Sequence, residues 1–213
     1  AASAIRPVTR RMLDMKPNGR STDFIAPSLG FGCMYDCTYC YCKRNKTNGL
    51  DVPKNPLDII SAIYSHALSA EVSKPNQTHP EYITYDIGCN EDFALHLKYH
   101  TYWKTMFEMF RKHPRAMASF ATKHVNNDLL TFNPEGKVRI RMSLMPQTLS
   151  TILEPNTTDI IRRIQAINSL KTAGYDVHIN FSPVVVYQEW LRDYNELFLM
   201  GNHCTPWLKP ADL

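Results

Sequence analysis

The sequence predicts an α/β fold built from parallel βα units, and three observations lead there. Short apolar runs alternate with segments of helical periodicity along most of the chain, turn residues separate them, and a dense group of cysteines directly follows the first run. Strands joined through helices run parallel. Their C-terminal ends then gather along one edge, where an active site is expected.

The elements follow in order. Residues 1–22 carry Arg6, Arg10, Arg11, Lys16 and Arg20 with Pro7 and Pro17 among them, and read as an irregular basic arm, either a solvated tail or a contact for a polyanion. One α/β domain is expected over 23–200. Its first strand spans 24–32 and closes on Gly30 and Gly32, where backbone has to approach the cysteine site closely. Residues 43–55 are polar and loop-like, with Asn48-Gly49 as a turn. Pro56 opens a helix in which Leu57, Ile60, Ile63 and Ala67 recur at helical spacing. Further strands are expected at 81–88, 117–122, 137–144 and 177–186, and further helices at 99–111 and 190–200. Thr157-Thr158-Asp159 supplies capping chemistry for a helix whose Ile160, Ile164, Ile167 and Leu170 form one stripe, stopped by Gly174. Residues 201–213, with Pro206 and Pro210, show no strand pattern and read as an irregular tail.

The chemistry is concentrated in Gly32-Cys33-Met34-Tyr35-Asp36-Cys37-Thr38-Tyr39-Cys40-Tyr41-Cys42. Cys33, Cys37 and Cys40 stand in a C-x3-C-x2-C spacing, which we read as the ligand set of an iron-sulfur cluster. Four cysteines close a cubane cluster; three leave one iron open to a small molecule. A zinc site or a set of redox thiols are the plainer alternatives. Zinc asks for four ligands, usually as two separated pairs, and no second pair accompanies these. Cys42 and Cys204 read as buried thiols without a role.

Composition limits the remaining classes. Six cysteines in 213 residues do not make a secreted disulfide framework, and no stretch has the apolar length of a membrane span or a signal-peptide core, so a cytoplasmic enzyme without a membrane partner is expected. The net charge of +4 is too small to require or exclude nucleic acid. His96 and His100 are four apart but lack an accompanying metal motif, and read as exposed or core-satisfied histidines. Trp103, Phe107 and Phe110 read as helix core.

The cysteine loop resembles that of the radical S-adenosylmethionine (SAM) superfamily. The stretches Gly88-Cys89-Asn90-Glu91-Asp92, Phe120-Ala121-Thr122-Lys123, 137–143, Glu154-Pro155, Ala173-Gly174-Tyr175 and Ser182-Pro183 through Trp190 resemble its spore photoproduct lyase branch, in order from about residue 24 to residue 198. The resemblance implies a partial (incomplete) TIM barrel of about five to six βα units. It implies a 4Fe-4S cluster and SAM as cofactors, an external electron donor, and a 5′-deoxyadenosyl radical that abstracts hydrogen. It also assigns roles. Tyr39 is expected against the SAM adenine, Asn90 and Asp92 at its ammonium although the usual Gly-Gly-Glu pattern is absent, and Lys123 at its carboxylate. Ser143 is expected near the ribose, and Ser182 with Phe181 near the adenine. Cys89 is expected to donate a hydrogen atom to the product radical, with Tyr41, and Tyr39 beside it, as a tyrosine relay. The bland alternative for each is an ordinary residue at a strand end, and for Cys89 a small buried hydrophobe.

The slight charge bias, the lack of a basic-aromatic stripe and a count of about five units rank a peptide substrate first. That reading is splicease-type excision of a tyrosine-derived tyramine unit from a ribosomal precursor peptide, leaving an α-keto-β-amino acid, with a small recognition partner protein. Repair of thymine photoproduct in DNA is the alternative substrate reading. An iron-sulfur sensor or electron carrier is the non-enzymatic one.

Overall fold

The computed structural model describes residues 3–6, 13–42, 49–71 and 78–204. In chain order these form β1 (Ser3–Arg6), β2 (Lys16–Pro17), β3 (Phe24–Ile25), β4 (Leu50–Pro53), α1 (Pro56–Ser69), β5 (Ile83–Asp86), α2 (Trp103–Lys112) and β6 (Ala116–Thr122). They continue with β7 (Val138–Ser143), α3 (Gln147–Leu153), α4 (Ile160–Thr172), β8 (Asp176–Asn180) and α5 (Trp190–Cys204). The main sheet runs β2-β3-β5-β6-β7-β8, parallel except for the antiparallel β2/β3 pair, and β1 pairs with β4 in a separate parallel ribbon. This is the expected α/β partial barrel, with α-helices following β5, β7 and β8 in the βα rhythm and a 3₁₀ turn, Asn127–Thr131, between β6 and β7.

Alternation along the strands sorts two faces. On β7, Val138, Ile140 and Met142 are fully buried in the apolar core, whereas Arg141 reaches Ser119 of β6 and Asp86 of β5 on the opposite face. The apolar face packs under helical stripes: Ile59, Ile63 and Ala67 of α1, Met106, Phe107 and Phe110 of α2, and Ile160, Ile164 and Ile167 of α4. The polar face forms the barrel interior. Its charges are paired, Arg141 with Asp86 at 2.7 Å and Arg139 with Asp176 at 2.7 Å.

Several boundaries differ from the sequence reading for identifiable reasons. The first strand is only Phe24–Ile25, because Pro27 has no N–H to continue the ladder after Ala26 donates to the Asp86 carbonyl. Residues 50–53 form β4 rather than loop, paired with β1, and Leu50 and Asp51 are buried. The N-terminal arm is not irregular throughout: β1 and β2 both lie within it, and β2 joins the main sheet. The last strand stops at Asn180, short of Pro183, and Val184 and Val186 beyond it are exposed. α5 continues to Cys204, so the expected tail does not begin at 201. α2 starts at Trp103, after a separate 3₁₀ turn at Leu97–Tyr99. The N-terminus of α4 is capped from outside, by Gln147 Oε1 accepting from the Ile160 N–H at 2.8 Å, while Asp159 makes no side-chain cap. Arg10, Arg11, Asn48, the Cys204 side chain and residues 205–213 lie outside the described residues. Among the described residues no helix is long and apolar enough to cross a membrane.

Candidate active site

The cysteine loop is suspended between two strand ends and one helix end. It begins at Gly32, whose φ of 109° favours glycine and whose N–H donates to the Asn90 carbonyl at 3.0 Å. The Met34 N–H donates to His96 Nε2 at 3.3 Å, and the Tyr35 hydroxyl meets His124 Nδ1 at 2.7 Å. On the far side the Thr38 N–H donates to the Leu153 carbonyl at 2.8 Å, and the Tyr39 hydroxyl donates to Glu154 Oε1. Tyr41 closes the loop by donating its hydroxyl to the Cys89 carbonyl.

Inside this frame lies a cavity of about 230 Å³ whose wall includes Cys33, Cys37, Cys40, Cys42 and Cys89, with Asp92, Lys123, Asp86 and Arg141 around them. No disulfide joins these five cysteines. Burial, with Asp92 beside it, pushes the Cys33 thiol up to about 12, and burial pushes Cys37 up to about 11 against the pull of Lys123. Thiolates at these positions therefore call for bound cations, which iron would supply. Among the described residues no three metal-ligating side chains converge on one ion position. A cubane cluster does not ask for that, because each of its thiolates bonds a different iron. The donor set thus fits a cluster held by three separated thiolates better than a single zinc.

The candidates distribute unevenly around the cavity. Tyr41 and Cys89 meet, hydroxyl oxygen to sulfur at 3.4 Å. Asp92 lines the wall, buried, with Oδ1 accepting from Thr122 Oγ1 at 2.6 Å and Oδ2 accepting from the Lys123 N–H at 2.7 Å. Lys123 Nζ lies 3.9 Å from Glu154 Oε1 and 5.8 Å from the centre of the Tyr39 ring, so both sit at one rim. Four of the candidates are not part of the wall: Tyr39, at the rim beside Lys123, and Asn90, Ser143 and Ser182. Asn90 donates its amide to Ser28 Oγ at 2.7 Å and supports the loop. Ser143 is buried, and its carbonyl accepts from Arg163 at 2.9 Å. Ser182 is exposed, in the segment that leaves the sheet after Asn180.

Sequence reasoning missed the supports behind this wall. His96 and His100 are core-satisfied, and what satisfies them is Glu91: Oε2 accepts from His96 Nδ1 at 3.0 Å and from His100 Nε2 at 2.8 Å. Burial alone would push the Glu91 carboxyl up, but His100 and His96 outweigh it and hold it below the usual carboxylate range. The only signal was a glutamate upstream of an i,i+4 histidine pair, which has no motif of its own. The Glu91 carboxyl rests against Gly30, where an added Cβ would meet its carboxyl carbon at 2.6 Å. Gly30→Ala is therefore expected to lower stability by about 1–3 kcal/mol, read as a shifted urea midpoint with an unchanged slope.

The chain is similar in sequence and in fold to known proteins. The family model described as spore photoproduct lyase matches residues 3–209. The spore photoproduct lyase of Bacillus subtilis (strain 168) is 26% identical over 192 residues, covering 89% of this chain and 54% of the relative. That of Clostridium acetobutylicum is 25% identical over 189 residues, covering 88% and 54%. The chain thus spans about half the length of these curated relatives. A solved spore photoproduct lyase complexed with dinucleoside spore photoproduct superposes with a TM-score of 0.76 at 26% identity, covering 92% of this chain and 56% of that one. A double mutant with bound AdoMet and dinucleoside spore photoproduct reaches 0.82 at 25% identity, covering 99% and 60%. Native anSMEcpe with bound AdoMet, at 16% identity and a TM-score of 0.54 over 84% of this chain and 48% of that one, shares the fold alone. The chain belongs to the spore photoproduct lyase family.

Proposed function

We propose that this chain is a radical SAM lyase that repairs thymine photoproduct in DNA, with a 4Fe-4S cluster held by Cys33, Cys37 and Cys40. The observation that carries the reading is the Tyr41 hydroxyl 3.4 Å from the Cys89 sulfur, on the wall of the cavity that the three cysteines share. When bound, the cluster and SAM supply a primary carbon radical able to take hydrogen from carbon.

This chain's own residues do the rest. Cys89 faces the space where a product radical would form; its S–H bond breaks as a C–H bond forms on that radical, leaving a thiyl. Tyr41 is placed to return a hydrogen atom to that sulfur, leaving a phenoxyl radical. Lys123 presents an ammonium at the rim for a carboxylate, and the Tyr39 ring beside it presents a flat face for a purine. Asp92 holds the end of β6 through Thr122 and the Lys123 amide, which fixes where Lys123 starts. An external electron donor is part of the reading.

The relatives in the comparison support DNA as the substrate, since three of the matched structures hold a dinucleoside spore photoproduct. The peptide-splicing expectation finds no support there, nor does a recognition partner protein. Anaerobically reconstituted protein given SAM, dithionite and dinucleoside spore photoproduct is expected to form 5′-deoxyadenosine and release the methylene bridge as two thymines. Cleavage of SAM with the photoproduct left intact would sink the substrate reading.

A further inference from the structure

Met34 sits inside the cluster loop, next to Cys33, and its N–H donates to His96 Nε2 at 3.3 Å. An amide can only donate, so His96 Nε2 must present a lone pair and His96 carries its proton on Nδ1. That proton meets Glu91 Oε2 at 3.0 Å, and His100 Nε2 holds the same oxygen at 2.8 Å. The His96 and Glu91 side chains are both 0% exposed, so neither is exchanged for water. Among the described residues Glu91 Oε1 has no hydrogen-bond partner, which leaves the hydrogen-bonding use of this buried carboxylate there with the two histidines.

The consequence concerns the thiolates. Amide N–H groups that donate to the sulfurs of an iron-sulfur cluster raise its potential. An amide beside a ligand cysteine that is already committed to an imidazole cannot do so. We infer that Glu91 and His96 are positioning residues that withhold the Met34 amide from the cluster sulfurs and so hold the cluster potential below the value that a further amide donor would set. Glu91 selects the tautomer, His96 takes the amide, and neither touches the reacting atoms. The inference rests on the cluster reading of Cys33, Cys37 and Cys40.

Two measurements on cluster-loaded protein test it. Wild-type protein labelled with ¹⁵N-histidine, its His96 signals assigned by their loss in His96→Gln, is expected to show His96 protonated at Nδ1 and bare at Nε2. Protonation at Nε2 would overturn the proposal, because Met34 would then have no acceptor there. This measurement can overturn the proposal even where His96→Leu fails to load iron. In EPR-monitored titrations at matched iron content, His96→Leu is expected to shift the midpoint potential upward. His96→Gln, which restores an acceptor near the Nε2 position, is expected to leave it at the wild-type value. An unshifted His96→Leu, or a His96→Gln shifted as far as the leucine variant, would overturn it. Wild-type protein that binds no iron would sink the cluster reading itself, so the two failures are told apart.

Discussion

Cys40→Ala protein, reconstituted anaerobically with iron and sulfide, is expected to form no 5′-deoxyadenosine above background, whereas Cys42→Ala is expected to keep the wild-type yield. Both side chains line the same cavity and stand two residues apart, so position alone does not separate them. Their surroundings do. The Cys40 N–H donates to the Cys37 carbonyl at 3.1 Å, which turns the chain so that Cys37 and Cys40 present their sulfurs to one space. Cys42 is buried, and its contact with the Cys40 sulfur, with burial adding to it, pushes its thiol strongly upward. Cys33 and Cys37 are pushed up as well, so what sets Cys42 apart is that its thiol donates to the Cys40 sulfur and that it stands outside the C-x3-C-x2-C spacing. Removing Cys40 takes away one of three thiolates that no other charged ligand replaces. Removing Cys42 takes away only a donor and a small buried volume. The reverse outcome, with Cys42→Ala inactive and Cys40→Ala active, would move the third ligand to Cys42.

Arg163→Leu is expected to destabilise the protein by about 3–5 kcal/mol, a large share of the roughly 5–15 kcal/mol that holds a domain together. Arg163 on α4 is completely buried. Its guanidinium donates to Glu154 Oε2 at 3.1 Å, the Ser143 carbonyl at 2.9 Å, the Thr158 carbonyl at 2.6 Å and Thr157 Oγ1 at 2.6 Å. Leucine fills part of the volume and answers none of these acceptors. The largest loss is at Glu154, whose buried carboxylate would keep only the Tyr39 hydroxyl, the long contact to Lys123 and the Ser150 hydroxyl at 3.3 Å. Because Glu154 anchors the cluster loop through Tyr39, iron retention is expected to fall along with stability. Urea unfolding followed by circular dichroism measures the first effect, and iron content after desalting measures the second. A change within about 0.5 kcal/mol would place Arg163 among inert surface substitutions, contrary to its burial.

How much of this was legible in the sequence depends on range. Period and spacing act locally, so the stripe of Ile160, Ile164 and Ile167, the alternation through β7 and the C-x3-C-x2-C loop could all be read before any contact was known. The family resemblance carried Cys89 and Tyr41 to a common role, and the structure places them 3.4 Å apart. What stayed hidden was partnership between distant residues. Glu91 and His96 looked unremarkable because the group that explains them, the Met34 amide, lies 62 residues from His96 in the chain. Arg163 carries no signal in the sequence, since nothing in Ile160-Ile161-Arg162-Arg163 distinguishes the exposed Arg162 from the buried Arg163. Strand length failed where a proline interrupts the run, as at Pro27, and where the chain leaves the sheet after Asn180. Asn90, Ser143 and Ser182 were assigned through the family resemblance alone; in the structure Asn90 donates to Ser28, Ser143 is buried with its carbonyl accepting from Arg163, and Ser182 is exposed.

Cys89 as the hydrogen donor to a thymine-derived radical is the claim on which the account stands, and solvent isotope tests it most directly. A thiol proton exchanges with water, whereas hydrogens on carbon do not. Wild-type protein turning over dinucleoside spore photoproduct with SAM and dithionite in D₂O is expected to place one deuterium on a carbon of the repaired dinucleotide, as read by mass spectrometry, and Cys89→Ala is expected to lose that selective labelling and divert the radical to other products. Repaired dinucleotide carrying no solvent deuterium, formed equally well by Cys89→Ala, would contradict the account.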